Sequence, residues 1–174
     1  MQYTKKAILL DSDTISRRVK DLGREISAKY PEGNIVLVGI LKGAFVFMAD
    51  LARSLQVSCE IDFARISSYG SGTVSSGELK IIMDVTAPIK DKHVIIVDDI
   101  VDTGLTLNRF RKLLEERSPR SVEIAALLDK TARRQEQVQV DYCGFTIEDG
   151  FVVGYGLDCD EQYRYLDSVY VLEQ

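Results

Sequence analysis

The chain has 174 residues, 45% of them hydrophobic and 28% charged, with 22 basic against 27 acidic side chains and a formal net charge of −5. A chain this long forms one globular domain and buries about 70% of its unfolded surface, enough for a core without disulfides or structural metal. The acidic balance speaks against a general nucleic-acid binder and, taken alone, against a polyphosphate ligand.

The N-terminal MQYTKKAILLDSD holds only a short apolar stretch before acids and a capping serine, which is not a signal-peptide pattern. Ile15, Val19, Leu22 and Ile26 recur at spacings of four and three behind the capping candidates Asp11, Ser12 and Asp13. They predict an amphipathic helix stopped at Tyr30-Pro31-Glu32-Gly33. Ile35 to Leu41 is a continuous apolar run, the pattern of a strand covered on both faces in a parallel sheet. After Lys42-Gly43, the segment Ala44 to Leu55 reads as helix. Cys59, Ile61 and Phe63 then alternate with Glu60, Asp62 and Ala64 as a half-exposed strand.

Residues 68–77, SYGSGTVSSG, are small or polar except Tyr69 and Val74. Between strand-like ARIS and LKIIMDV they read either as a hairpin tip or as a mobile lid over a ligand. A strand from His93 to Val97 leads into DDIVDTG, followed by a helix with Leu107, Phe110, Leu113 and Leu114 on one face, ending near Ser118-Pro119. Val122 to Leu128 is strand-like, and short strands are expected around 140–145, 151–155 and 168–172. Strands alternating with helices predict an α/β domain with a mainly parallel central sheet. No linker divides the chain, so residues 1–174 are expected to form a single domain. No apolar run approaches the ~20 residues of a membrane helix.

The densest chemistry lies in VIIVDDIVDTGLT. A buried strand delivers Asp98 and Asp99, then Asp102, then Thr103-Gly104-Leu105-Thr106 opening a helix. In an open α/β sheet, ligands bind at the carboxyl ends of strands. Free N–H groups at a helix start, with two hydroxyls and a glycine, make a phosphate cradle. Acids beside such a cradle need another object, either sugar hydroxyls, which donate to carboxylates, or magnesium, which takes oxygen ligands. A bland reading exists, three acids capping a helix, but the combination points to a phosphorylated sugar site. The lone histidine, His93, excludes a multi-histidine metal site. Cys59, Cys143 and Cys159 form no CxxC and suit reduced structural thiols in a cytoplasmic protein.

VIIVDDIVDTGLTL resembles the phosphoribosyl-pyrophosphate signature of type I phosphoribosyltransferases, and the chain is similar to the bacterial-type hypoxanthine (6-oxopurine) members. VGILKGAFVFMADL resembles the family's pyrophosphate loop, LLDKTARR its purine-contacting segment, and GFVVGYGLDCDEQYR its base-stacking and metal segment. SSYGSGTVSSG falls where the family carries its mobile loop. The resemblance implies the type I phosphoribosyltransferase fold, with helices flanking the central sheet and a small hood built from the N- and C-terminal segments. It further implies transfer of a phosphoribosyl group from phosphoribosyl pyrophosphate to hypoxanthine or guanine.

By the same resemblance, Asp98 and Asp99 hold the ribose hydroxyls directly or through Mg2+, and Asp158 helps to hold that metal. Asp102 is the general base. Thr103, Gly104 and Thr106 bind the 5′-phosphate; Leu105 stands where the family often has lysine and contributes backbone only. Lys42 and Gly43 form the pyrophosphate loop, with a cis peptide expected between Leu41 and Lys42. Arg164 pairs with pyrophosphate. Lys130 donates to the 6-oxo group of the purine, an ammonium being unable to accept from adenine's amino group. Phe151 stacks on the purine and the Val152 backbone reads the ring edge. Ser68 and Tyr69 close over the reacting centre. His93 is expected to be structural. Read without the family, Lys42 is a snorkelling lysine, Phe151 a core residue, and Arg133-Arg134 a basic surface loop. Implied partners are the two small-molecule substrates and further copies of the chain, as a homodimer or homotetramer, with no nucleic acid and no membrane.

Two rival functions compete with this one on the residues. A non-catalytic RNA- or nucleotide-binding regulator on this fold is disfavoured by the charge of −5 and by the presence of Asp102 and Lys130. An aspartate-dependent phosphatase needs two acids two positions apart, and the acids at 98, 99 and 102 never meet that spacing.

Overall fold

The computed structural model describes residues 5–68 and 79–173. The expected lid at 68–77 therefore lies outside the described residues, apart from the backbone of Ser68, which ends a strand. The elements are β1 (Lys5–Leu10), α1 (Ser12–Lys29), β2 (Ile35–Ile40), α2 (Phe45–Ser54), β3 (Cys59–Ser68), β4 (Leu79–Met83), β5 (His93–Val101), α3 (Leu105–Glu115), β6 (Ser121–Lys130), β7 (Tyr142–Ile147), β8 (Val152–Val153) and β9 (Val169–Glu173).

Six strands form the central sheet in the order β4-β3-β2-β5-β6-β7. All neighbours pair in parallel except the edge strand β4, which runs antiparallel to β3. The apolar run of β2 explains its central place, since all six of its residues are buried. Alternation sends its side chains to two different cores. Ile35 and Leu37 join α1 and α2 on one face, with Ile95 and Val97 of β5 and Ala125 and Leu127 of β6. Val36, Val38 and Ile40 join α3 on the other face, with Val94 and Ile96 of β5 and Ile124 and Ala126 of β6. Each fully buried aliphatic side chain contributes about 1.5–3 kcal/mol relative to exposure. The middle of the sheet is thus anchored from both sides.

Helix α1 buries the predicted stripe Ile15, Val19, Leu22 and Ile26, and the side chain of Asp11 caps it by accepting from the Thr14 N–H at 2.7 Å. Four segments depart from the sequence expectations. Strand β5 runs beyond Val97 to Val101, because Asp98, Ile100 and Val101 keep pairing with Ala126, Leu128 and Asp129 of β6. Helix α3 stops at Glu115, where Arg117 and Ser118 turn tightly back to Leu114 and Glu115 carbonyls before Pro119. Strand β8 is only two residues long, since Gly154, Tyr155 and Gly156 all take positive φ and turn the chain. The strand β1, not anticipated, pairs antiparallel with β9, which also pairs with β8, so chain beginning and end meet in a second, three-stranded sheet.

At the opposite end of the central sheet from the acidic motif, a polar cluster ties α1 to β6 and β7. Glu123 pairs with Lys29 and accepts hydroxyl hydrogen bonds from Tyr30 (2.7 Å) and Tyr142 (2.8 Å). His93 sits beside it, its ring 4.3 Å from that of Tyr30 and its Nδ1 2.8 Å from Ser121 Oγ. That placement at the start of β5 gives His93 a structural setting.

Candidate active site

The carboxyl ends of β2, β5 and β6 lie side by side, which gathers the sequence motifs. Gly39 pairs with Val97, so the Leu41-Lys42-Gly43 loop leaves β2 next to the Asp98-Asp99 end of β5. The peptide bond between Leu41 and Lys42 is cis, as expected. Gly43 touches Asp99 so closely that a Cβ built on it would overlap the carboxylate. Only glycine fits there.

Asp98 and Asp99 are half-buried neighbours. Loss of solvation, and then the charge of Asp99, push the Asp98 carboxyl well above the ordinary range. Loss of solvation also raises Asp99, with the Arg164 guanidinium pulling the other way. Two adjacent carboxylates in this state form a hard oxygen donor set, suited to a divalent cation or to sugar hydroxyls.

Val101 pairs with Asp129, so Asp102 and Lys130 emerge from adjacent strand ends. Asp102 Oδ1 is buried with no hydrogen-bond partner among the described residues, while Oδ2 stands 3.6 Å from Arg133 Nη1. Gly104 caps α3 in the left-handed conformation (φ +82°). Beyond it, the first-turn N–H groups, Leu105 and Thr106 included, have no acceptors within the helix. The Thr103 carbonyl is held by the N–H groups of Gln135 (3.0 Å) and Glu136 (3.1 Å), which fixes the loop from behind.

Lys130 is buried, with 7% of its surface exposed. Its ammonium donates to the Gly150 carbonyl at 3.0 Å and pairs with Asp149 at 2.9 Å. That occupies two of three donors. Phe151, which is 45% exposed, and the buried Val152 follow directly, the Phe151 carbonyl accepting from Leu172 N–H at 2.8 Å. Strand pairing of Val152 with Val171 fixes this wall.

The segment after β8 closes the other side. Gly156 lies against the Gly43 carbonyl, and a Cβ there would overlap it. Arg164 donates from Nη1 to the Gly156 carbonyl (2.8 Å) and pairs through Nη2 with Asp158 (2.7 Å) and Glu161 (3.4 Å), while its Nε is buried without a partner among the described residues. The same Glu161 oxygen takes Lys42 Nζ at 2.9 Å. Asp158, paired with Arg164 and accepting the Glu161 N–H at 2.9 Å, does not form a cluster with Asp98 and Asp99. Among the described residues no three acidic, histidine or cysteine side chains stand together as a metal cage.

The structure therefore brings together Lys42, Gly43, Asp98, Asp99, Asp102, the 103–106 turn, Lys130, Phe151, Val152 and Arg164 around the carboxyl end of the central sheet. Asp158 is paired with Arg164, and Tyr69 falls outside the described residues. Asp149, Glu161 and Arg133 were missed by sequence reasoning. Each earns its place through an ion pair made by the fold, and nothing in its local sequence marks it.

Comparison with known proteins agrees with this arrangement. The phosphoribosyl transferase domain family matches residues 7–160. The hypoxanthine phosphoribosyltransferase of Escherichia coli is 45% identical over 171 residues, covering 97% of this chain and 96% of that protein. The bifunctional protein TilS/HprT of Listeria innocua is 44% identical over 166 residues, 95% of this chain, but the chain spans only 26% of that longer protein. A crystal structure of a hypoxanthine phosphoribosyltransferase from Staphylococcus aureus superposes with a TM-score of 0.93 at 42% identity, covering 96% of this chain and 91% of the other. Shared sequence over nearly full length and a shared fold lead to one conclusion: the chain belongs to the hypoxanthine phosphoribosyltransferase family.

Proposed function

We propose that this chain transfers the 5-phosphoribosyl group from phosphoribosyl pyrophosphate to hypoxanthine and guanine, releasing pyrophosphate, as a purine-salvage enzyme. The observation that carries the reading is the register of β5 against β6, which brings Asp102, a carboxylate acceptor, and Lys130, a donor-only ammonium, onto the ends of adjacent strands. A 6-oxopurine offers what that pair can use, a ring N–H to Asp102 and a carbonyl to the remaining donor of Lys130. Adenine sets an amino group against the ammonium.

In the forward step a purine ring nitrogen attacks C1′ and the bond from C1′ to the pyrophosphate oxygen breaks, its electron pair leaving with pyrophosphate. The proton lost from the other ring nitrogen goes to Asp102. Thr103, Gly104, Leu105 and Thr106 hold the 5′-phosphate through hydroxyls and first-turn N–H groups. Lys42, Gly43 and Arg164 hold the pyrophosphate, Arg164 with its planar fork. Phe151 covers the purine face, Val152 reads its edge, and Ser68 and Tyr69 belong to the lid that excludes water.

Asp98 and Asp99, two hard carboxylates, would hold Mg2+ with help from Asp158. Bound magnesium supplies charge neutralisation on the leaving group. The three-stranded sheet of β1, β8 and β9 serves as the hood of a single domain spanning 1–174. No helix among the described residues is long and apolar enough to cross a membrane. The three cysteines are free, and burial pushes the Cys59 and Cys143 thiols up. These facts support a cytoplasmic enzyme, which we expect to assemble as a homodimer or homotetramer without nucleic acid. The test is an assay of purified protein with phosphoribosyl pyrophosphate and Mg2+ against hypoxanthine, guanine, xanthine and adenine. Nucleotide from the 6-oxopurines and none from adenine supports the reading; none from any purine overturns it.

A further inference from the structure

Arg133-Arg134 reads from the sequence as a basic surface loop, but the fold turns Arg134 inward and leaves its side chain only 16% exposed. Its guanidinium lies across the ends of β5 and β6. Nε donates to the Asp102 carbonyl at 3.0 Å, Nη2 to the carbonyls of Val101 and Lys130 at 3.3 Å each, and Nη1 to the Val138 carbonyl at 3.5 Å. Nη2 also pairs with the Asp129 carboxylate, which balances the charge. The β5–β6 register ends with Val101 opposite Asp129, so Asp102 and Lys130 each follow it by one residue. Arg134 takes over where that strand pairing stops. A lysine could neutralise Asp129 but could not span these carbonyls, since only a guanidinium presents five donors in one rigid plane.

We propose that Arg134 is a positioning residue for the purine subsite: by fixing the main chain of both Asp102 and Lys130, it sets the spacing of acceptor and donor that a 6-oxopurine must meet together. The assignment rests on the reading of Asp102 as general base and of Lys130 as the donor to the 6-oxo group. A purine is flat and rigid, so the separation of its ring N–H and its carbonyl cannot adjust to a displaced partner. A misplacement of about 1 Å costs on the order of 10²-fold in rate. Asp102 depends on its backbone for aim, because its buried Oδ1 has no hydrogen-bond partner among the described residues. Lys130 is held by Asp149 and Gly150 at its tip and by Arg134 at its root. The neighbouring phosphate turn has separate support. There the Thr103 carbonyl accepts the N–H groups of Gln135 and Glu136, and the Glu136 carboxylate accepts from Asn108 Nδ2 at 2.8 Å. Those contacts do not use the Arg134 side chain, so a substitution there separates the purine half of the cleft from the phosphate half.

The test places Arg134→Gln and Arg134→Lys in the wild-type chain and in an Asp102→Asn chain. Two quantities are read, the single-turnover rate with hypoxanthine and phosphoribosyl pyrophosphate both saturating, and the equilibrium affinity for phosphoribosyl pyrophosphate alone. Arg134→Gln should slow the single turnover by about 10–100-fold, while the affinity stays within about 2-fold, the scatter of uncoupled sites. Arg134→Lys keeps a cation on Asp129 and should recover little of the rate; it carries the same readouts where Arg134→Gln does not fold. In the Asp102→Asn chain either substitution should cost less than about 2-fold more, since the group being positioned is already gone. The same full loss repeated in that chain means that Arg134 acts independently of Asp102, and overturns the proposal. An affinity that falls in step with the rate shows a general loosening of the cleft, and wild-type turnover in Arg134→Lys shows that charge alone suffices; either overturns it as well. A near-normal rate in Asp102→Asn by itself refutes the base reading, whatever Arg134 does.

Discussion

Gly43 and Asp99 are packed so that a methyl group on one would occupy the space of the other's carboxylate. The glycine lets the loop after β2 close onto the acidic end of β5, and the two segments have no room to separate without opening the cleft. Gly43→Ala should therefore lower affinity for phosphoribosyl pyrophosphate by roughly 5–150-fold, the equivalent of the ~1–3 kcal/mol typical of overpacking. Calorimetric titration of the variant measures it. Wild-type affinity in a folded Gly43→Ala protein would show that the loop does not need this approach.

Asp102→Asn keeps the shape of the side chain and removes the base. Turnover with hypoxanthine should fall by roughly 10²–10⁴-fold, while phosphoribosyl-pyrophosphate affinity changes little. Rapid-quench rates and equilibrium binding, measured on the same preparation, separate the two quantities. A near-normal rate removes Asp102 from the role.

Lys130 is held by Gly150 and Asp149 with one donor left over. Lys130→Met removes that donor and should reduce kcat/KM for hypoxanthine by about 1.5–3 kcal/mol, or roughly 10–150-fold, the range for a hydrogen bond to a charged group. Adenine should not suffer the same loss, so the ratio of the two specificity constants narrows. A parallel fall for both bases would assign Lys130 to packing alone.

Acid stability should depend on Glu123 and His93. Burial pushes the Glu123 carboxyl up, but hydrogen bonds from Lys29, Tyr30 and Tyr142 outweigh it and hold the group below the usual range. A depressed carboxyl stabilises the fold above its unfolded value near 4.3 and loses that stabilisation as pH falls through the folded value. Burial, and then Arg120, depress His93 as well, so its contribution is complete above about pH 6.5 and declines on acidification. Glu123→Gln should lower Tm at neutral pH by about 2–8 °C, as expected for a disrupted buried hydrogen-bond set. It should also flatten the further fall below about pH 4.3. Calorimetric scans between neutral and acid pH check both, and an acid slope as steep as wild type contradicts the assignment.

The sheet could be read from the chain because β2, β5 and β6 are apolar runs whose two faces meet separate cores. Strand β1 could not. Lys5 to Leu10 carries no period of its own and becomes a strand only by pairing with Val169 to Glu173 at the other end of the chain. The same division runs through the site. Asp98, Asp99, Asp102 and the 103–106 turn are local, so their motif is visible in a single stretch. Asp149 and Glu161 act through partners 19 and 119 positions away, Lys130 and Lys42, and only folding reveals them. Asp158 adds a contact that its motif does not show, the ion pair of its carboxylate with Arg164.

One oxygen of Glu161 holds both Lys42 and Arg164, one from the loop after β2 and the other from the far wall of the cleft. The two cations are thereby kept apart by a resident anion rather than repelling each other across the cleft. If Lys42 and Arg164 bind pyrophosphate as proposed, an incoming diphosphate would have to displace the Glu161 carboxylate that now holds them. On that reading one acid of a chain with net charge −5 would be a built-in competitor for its own anionic ligand.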